Sequence, residues 1–293
     1  MRYRMLKGYS TAIVTPFKNG KIDFSALEKY MNHLDGSGIS GIVVAGSTGE
    51  SVSLTLQEKV ELIRAISTIN AGKISLIGGV IDAVTDNCIR LIKETEKYVD
   101  HFLCICPFYV KPSQQQIYEH YKQLSAATAR GIILYNNPSR VGVDIAFDTF
   151  RRMCELKNVI ALKECADNLS RFTLWRSAVG ENFDFLTGLD NVACGALAMG
   201  ASGVISVSTN VVPDLCAKMY RAFKKNNLEE FFILRDVMAP LHELLFAEPS
   251  PAPTKYALSR LGILSSELRA PLSPIGAELQ NKIDNFMDKL ELG

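Results

Sequence analysis

Short apolar runs alternate with longer segments of helical period along most of this 293-residue chain. Apolar runs without polar alternation are typical of parallel strands buried on both faces, and strands that alternate with helices indicate βαβ units. Such runs predict eight strands, near residues 11–14, 41–45, 74–78, 101–105, 131–136, 159–163, 185–187 and 203–206.

Eight βα units are the number that closes a barrel, in which the carboxyl ends of all the strands meet at one face. An open doubly wound sheet is the alternative, but it needs a nucleotide-type glycine loop after the first strand, and residues 15–20 (Thr-Pro-Phe-Lys-Asn-Gly) do not form one. We therefore predict an α/β chain, a (β/α)8 TIM barrel over residues 1–226. A C-terminal helical region is predicted over residues 227–293, where the strand pattern ceases.

Helical periodicity and end signals place the predicted helices between these strands. A capping box, Thr55 with Glu58, opens one helix and leaves Val60, Ile63 and Ile66 on its apolar face. The predicted helices span about 23–35, 55–70, 84–98, 114–127 and 192–199, with another beginning near residue 170.

Charge and composition exclude several classes of function. The chain has 32 basic and 31 acidic residues without a basic stripe, which argues against a nucleic-acid partner. Seven cysteines are an odd number and indicate no disulfide framework, which favours a cytoplasmic protein. Neither a signal peptide nor a run of about 18 apolar residues is present, so we expect no membrane partner. The four histidines lack ligand spacing, and we expect neither a metal nor a cofactor.

Lys163 closes the apolar run 159–162 and should lie at the mouth of the barrel. A lysine held partly out of water there loses some preference for its ammonium form and becomes a nucleophilic amine. The alternative is a solvated surface lysine that follows a strand and pairs with Glu164.

Hydroxyl and guanidinium groups follow other strands at the same face. Tyr135 precedes Lys163 by one βα unit, so the two should lie at the ends of neighbouring strands. Tyr109 follows the predicted strand 101–105, which comes before the strand of Tyr135. A phenol that is hydrogen-bonded to further hydroxyls can pass protons to and from a substrate that reacts with the lysine amine. Arg140 offers a fork for a carboxylate, although a surface salt bridge is the alternative.

Residues 46–50 (Gly-Ser-Thr-Gly-Glu) follow the second predicted strand and carry two hydroxyl side chains between glycines. Their backbone amides and side chains can bind a carboxylate, although the pattern also fits an ordinary turn. Together with Lys163 they favour a Schiff-base lyase or aldolase, in which an iminium makes the carbon next to it acidic.

Several motifs lie in order along nearly the whole chain. They are residues 12–16 (Ala-Ile-Val-Thr-Pro), 46–50, 135–140 (Tyr-Asn-Asn-Pro-Ser-Arg), 161–164 (Ala-Leu-Lys-Glu), 203–207 (Gly-Val-Ile-Ser-Val), 248–255 (Glu-Pro-Ser-Pro-Ala-Pro-Thr-Lys) and 269–274 (Arg-Ala-Pro-Leu-Ser-Pro). These motifs resemble those of the dihydrodipicolinate synthase family. That resemblance implies a barrel with C-terminal helices, a homotetramer built as a dimer of dimers, and condensation of pyruvate with aspartate semialdehyde in lysine and diaminopimelate biosynthesis.

The resemblance also implies roles for individual residues. Lys163 would form the Schiff base with pyruvate. A proton relay would consist of Tyr135, Ser47 and Tyr109, with Tyr109 reaching into a neighbouring subunit's site. Ser47 stands where these synthases usually have threonine, and it keeps the hydroxyl.

The substrate-binding residues implied by the same resemblance are Thr48, Arg140, Ile205 and Gly188. Thr48 and its loop amides would hold the pyruvate carboxylate, and Arg140 would bind the carboxylate of the semialdehyde. Ile205 would contribute backbone to the pyruvate pocket.

Two other functions remain open. N-acetylneuraminate lyase and keto-deoxy sugar acid aldolases share the superfamily, but the sialic-acid lyases lack an arginine at the position of Arg140. A catalytically silent barrel would not need to keep Lys163, Tyr135 and Thr48 together.

The chain departs from lysine-inhibited members of the family at the effector site. Asn87, Ala83 and Phe108 stand where those members have a glutamate, an asparagine and a tyrosine. Because an ammonium ligand would lose its carboxylate partner, we expect inhibition by lysine to be weak or absent.

Overall fold

A computed structural model of the chain describes residues 6–180 and 182–292. In this part of the chain, eight parallel strands close a barrel, so the predicted TIM barrel is confirmed. The barrel strands are β1 (Gly8–Ala12), β4 (Gly41–Val44), β5 (Ser75–Val80), β6 (His101–Ile105), β7 (Gly131–Asn136), β8 (Val159–Glu164), β9 (Asp184–Thr187) and β10 (Gly203–Ser206). Around the barrel they lie in the order β1-β10-β9-β8-β7-β6-β5-β4.

Helices surround the barrel and continue beyond it. The capping box of Thr55 and Glu58 forms as predicted and begins α2. The helices are α1 (Phe24–Leu34), α2 (Leu56–Asn70), α3 (Thr85–Thr95), α4 (Gln114–Ala127), α5 (Pro138–Val141), α6 (Phe147–Cys154), α7 (Arg171–Leu174), α8 (Ala193–Ala198), α9 (Pro213–Lys224), α10 (Leu228–Phe246), α11 (Ala252–Arg260) and α12 (Ala277–Lys289).

The first strand differs from its prediction, since β1 covers residues 8–12 rather than 11–14. Its pairing with β10 decides these bounds, because Gly8 lies opposite Gly203. Ile13 and Val14 are buried in the core without being part of the strand. Here the pairing partner, rather than local hydrophobicity, sets where the strand begins and ends.

A small hairpin of β2 (Phe17–Lys18) and β3 (Lys21–Ile22) follows β1 and was not predicted. Its two turn residues are Asn19 and Gly20, which both have positive φ. An Asn-Gly pair is the usual signal for such a two-residue turn, since these residues tolerate the left-handed backbone.

The C-terminal helices pack on the side of the barrel formed by β1 and β10. Tyr9 and Val204 from these strands share a buried apolar cluster with Met238 of α10 and Ile283 of α12. The predicted division at residues 226/227 falls between α9 and α10 and remains a prediction. None of the helices in residues 6–180 and 182–292 is long and apolar enough to cross a membrane.

Candidate active site

Lys163 and Tyr135 lie side by side at the carboxyl ends of β8 and β7. They are direct register partners, and the Lys163 Nζ lies 4.4 Å from the centre of the Tyr135 ring. Lys163 is only 7% exposed, and Tyr135 is buried as well. The predicted neighbourhood of the two residues is confirmed, and the lysine is not a solvated surface residue.

The alternative pairing of Lys163 with Glu164 is wrong because consecutive strand residues point to opposite faces. Glu164 instead accepts hydrogen bonds from Arg171 Nη1 at 3.1 Å and from Asn136 Nδ2 at 2.9 Å. Arg171 also forms an ion pair with Asp144, and burial raises the pKa of the Glu164 carboxyl. This network ties the segment after β8 to the loop after β7.

Asn137 holds the Tyr135 hydroxyl and the start of α5 together, and the sequence analysis missed it. Its Nδ2 donates to Tyr135 Oη at 3.1 Å, while its Oδ1 accepts from the Arg140 backbone N–H at 3.3 Å. Since the bond to Asn137 uses an oxygen lone pair, the phenolic proton can be donated elsewhere. An asparagine followed by proline at a helix start is the signal that could have identified this cap.

Gly188 follows β9 directly against the lysine. A Cβ at this position would lie 2.4 Å from Lys163 Cε and 2.2 Å from Cys165 Sγ. Its backbone N–H donates to the Glu164 carbonyl at 2.8 Å. Residue 188 must therefore be glycine if Lys163 is to keep this position.

The loop 46–50 after β4 is a compact turn at the same face of the barrel. Gly49 N–H donates to the Gly46 carbonyl at 3.0 Å, and Glu50 N–H donates to the Ser47 carbonyl at 3.1 Å. Thr48 is buried and Ser47 is half-buried. Both hydroxyls of the predicted carboxylate loop thus lie in a backbone of fixed shape.

Tyr109 and Arg140 are exposed at the barrel mouth, and among the described residues neither forms a hydrogen bond with Lys163. Tyr109 is 91% exposed and has a φ of 71°, and Arg140 is exposed on the short helix α5. Among the described residues, no hydrogen bond joins Ser47 or Tyr109 to Tyr135. Ile205, in contrast, is buried in β10.

Metal ligation has no support in residues 6–180 and 182–292, where no group of three or more His, Cys, Asp or Glu side chains could hold an ion. The chemistry available at the mouth is that of a buried amine, a phenol and a hydroxyl loop. These groups suit covalent catalysis on a carbonyl compound.

Known proteins resemble this chain over nearly its full length. It is 37% identical over 270 residues to the 4-hydroxy-tetrahydrodipicolinate synthase of Bradyrhizobium diazoefficiens, covering 92% of this chain and 91% of that protein. A chloride-inhibited dihydrodipicolinate synthase of Acinetobacter baumannii, solved with pyruvate, has a TM-score of 0.94 and 30% identity, covering 99% of this chain and all of that one. The enzyme of Cyanidioschyzon merolae, solved with lysine bound, has a TM-score of 0.95 and 32% identity, covering 98% and 99%.

The model of the dihydrodipicolinate synthetase family matches residues 5–290. This match confirms the resemblance carried by the motifs, and it extends over the barrel and the C-terminal helices alike. The chain belongs to the dihydrodipicolinate synthetase family.

Proposed function

We propose that the chain is a lyase that condenses pyruvate with L-aspartate 4-semialdehyde to 4-hydroxy-tetrahydrodipicolinate, in lysine and diaminopimelate biosynthesis. The observation that supports this proposal best is the buried Lys163 amine beside the Tyr135 phenol at the carboxyl face of the barrel. An amine shielded from water and adjacent to a proton donor is suited to forming an imine with a keto acid.

The Lys163 amine adds to the keto carbon of pyruvate, and water leaves to form an iminium. Loss of a methyl proton then gives an enamine, whose carbon attacks the aldehyde and makes the new carbon–carbon bond. The amino group of the bound semialdehyde next attacks the imine carbon, which closes the ring and releases Lys163. The iminium is the electron sink, so the scheme requires no cofactor.

Each of these steps moves a proton, and Tyr135 is the group placed to do so. Its hydroxyl would donate to the oxygen that departs as water, and the resulting phenolate would regain a proton through Ser47 and Tyr109. Asn137 holds the phenol oxygen in place, since its Nδ2 donates to that atom.

Substrate binding divides between two loops. Thr48 and the amides of its loop would hold the pyruvate carboxylate next to Lys163, with Gly188 and the Ile205 backbone forming the rest of the pocket. Arg140 on α5 would bind the carboxylate of the semialdehyde, with its exposed position allowing that substrate to enter second.

A homotetramer, arranged as a dimer of dimers in the cytoplasm, is part of the proposal. The exposure of Tyr109 and its positive φ are consistent with a side chain that completes the site of a neighbouring subunit. A tyrosine held in that strained backbone region serves little purpose if it stays in solvent.

Turnover of pyruvate with aspartate semialdehyde, coupled to a reductase that consumes the cyclic product, tests the proposal in the parent and in Lys163→Ala. We expect turnover in the parent and none in the variant. A folded parent that traps pyruvate on Lys163 with borohydride, yet does not turn over the semialdehyde, would instead be another pyruvate-dependent aldolase.

A further inference from the structure

A buried ion pair connects the C-terminal helices to the loop that carries Ser47 and Thr48. Lys255 of α11 places its Nζ 2.5 Å from Oε1 of Glu50, and both side chains are 0% exposed. Glu50 is the last residue of the loop 46–50. Neither residue has a role in the chemistry proposed above.

The ammonium of Lys255 has two contacts besides the ion pair with Glu50. It donates to the Glu267 carbonyl at 2.7 Å and lies 4.1 Å from the centre of the Phe17 ring. Burial lowers the pKa of Lys255 to about 8, against the opposing effect of Glu50, so the amine is mostly protonated at neutral pH. These contacts hold the Lys255 amine and the Glu50 carboxyl at fixed positions inside the protein.

Glu50 needs such a restraint because its backbone is unusual. It adopts the left-handed conformation, with φ 54° and ψ 36°, which is unfavourable for a residue with a side chain. In that conformation its N–H closes the turn onto the Ser47 carbonyl at 3.1 Å. Its second carboxylate oxygen accepts the Arg269 backbone N–H at 3.1 Å.

We propose that Lys255 is a positioning residue of the active site, which through Glu50 holds the loop 46–50 in the conformation that binds the carboxylate of a keto acid. This inference rests on the proposed function for the identity of the keto acid, pyruvate. Without the ammonium, the Glu50 carboxylate is a buried charge that lacks its counter-ion. The residue then leaves the left-handed conformation, and Ser47 and Thr48 move with it.

Steady-state kinetics of Lys255→Met test this role, since the semialdehyde binds at a different loop. We expect the KM for pyruvate to rise about tenfold to hundredfold, the range that one lost charge-assisted hydrogen bond corresponds to. The KM for the semialdehyde should stay within about twofold, because the residue proposed to bind it, Arg140, is on α5 and not on the loop 46–50. Trapping of pyruvate on Lys163 by borohydride should need correspondingly more pyruvate.

Glu50→Gln keeps the test decisive if Lys255→Met folds poorly. It retains the shape of the pair and should raise the KM for pyruvate by a smaller factor. Where Lys255→Met does fold, the double variant Lys255→Met/Glu50→Gln leaves neither charge unpaired, so its KM for pyruvate should lie below that of Lys255→Met.

Leu258→Ala is the matched control, because Leu258 is equally buried in α11. It should lower the melting temperature and leave the KM for pyruvate unchanged. The proposal is overturned if folded Lys255→Met keeps the parent's KM for pyruvate, or if Leu258→Ala raises it as much. Failure of the parent to turn over the semialdehyde refutes the synthase instead, and the trapping measurement still decides the role of Lys255.

Discussion

The Lys163 Nζ lies 4.4 Å from the centre of the Tyr135 ring, and the two residues face each other across adjacent parallel strands. The Lys163 side chain lies over the face of the ring, while the hydroxyl at the ring's edge is held by Asn137. One tyrosine thereby has two separable effects: its ring positions the lysine, and its hydroxyl handles protons.

Tyr135→Phe removes the hydroxyl and keeps the ring. We expect turnover to fall by about 10²–10⁴, the usual contribution of a positioned acid or base. Pyruvate should still be trapped on Lys163 by borohydride after a long incubation, because the hydroxyl speeds the departure of water and does not change how much adduct is present at equilibrium. Coupled turnover and mass spectrometry of the reduced adduct measure the two effects. Tyr220→Phe, which removes a hydroxyl bonded to the Ser202 carbonyl, should leave both unchanged. Equal loss of trapping and turnover in Tyr135→Phe would contradict the separation.

Gly188→Ala should abolish adduct formation. The added methyl would lie 2.4 Å from Lys163 Cε, which is far below a normal contact distance, so the lysine must leave its position. Adduct yield after borohydride reduction and circular dichroism measure the chemistry and the fold. Gly180→Ala is the control, because a Cβ there meets nothing within 4 Å. An adduct yield equal to the parent's would show that the lysine has room to move.

Lysine should inhibit weakly or not at all. The sequence already predicts this, because Asn87 replaces the glutamate that would pair with the ligand's ammonium. The structure adds a second reason: the Asn87 side chain donates to Asp82. A cavity of about 150 Å³ is lined by both residues and by Lys59, whose Nζ donates to the Ile81 carbonyl at 3.3 Å. A ligand ammonium entering this cavity would compete with the Lys59 amine for Asp82 and for the Ile81 carbonyl.

An inhibition curve against L-lysine, with L-norleucine as a control that lacks the side-chain ammonium, measures this directly. The two amino acids should give the same shallow curves. Steep inhibition by lysine alone at sub-millimolar concentration would refute the prediction.

Acid should weaken the connection between α2 and the C-terminal segment. A hydrogen bond from Arg269 lowers the pKa of Glu58 to about 2 from its usual 4.5. Because the folded-state pKa is the lower one, the stabilisation is complete above pH 4.5 and is lost as the pH falls towards 2. The pair is partly exposed, so its contribution at neutral pH is about 0.5–1 kcal/mol.

Melting temperatures of the parent and Glu58→Gln between pH 7 and pH 3 check this prediction. Glutamine keeps a side-chain oxygen for the cap at Thr55, and the parent should be the more stable at pH 7. The difference should narrow as the pH falls. A difference that stays constant over this range would mean that Glu58 titrates at its ordinary pKa.

The fold and the Lys163–Tyr135 pair could be predicted because both depend on regular repetition. Strands separated by one βα unit become neighbours in a parallel barrel, so the end of one run locates the end of the next. The bounds of β1 could not be predicted as well, because the strand begins where Gly8 pairs with Gly203 and the local sequence does not show this pairing.

The parts of the site that escaped prediction depend on loops and on distant contacts. Asn137 acts through a cap geometry at the start of α5, and Arg171 reaches Glu164 and Asp144 from a later helix. Lys255 and Glu50 come from opposite ends of the chain, and no periodicity relates them. Such contacts follow from tertiary packing, which a single sequence does not display.

Barrel closure joins the beginning of the described chain to a strand near residue 203, since β1 pairs with both β4 and β10. During synthesis one edge of β1 therefore stays open until β10 has been made, a delay on the order of tens of seconds at ordinary rates of translation. An open strand edge is a template for pairing with other chains. Nascent or truncated chains that stop short of β10 thus expose an unpaired strand edge that favours aggregation, and this edge is fully paired in the finished barrel.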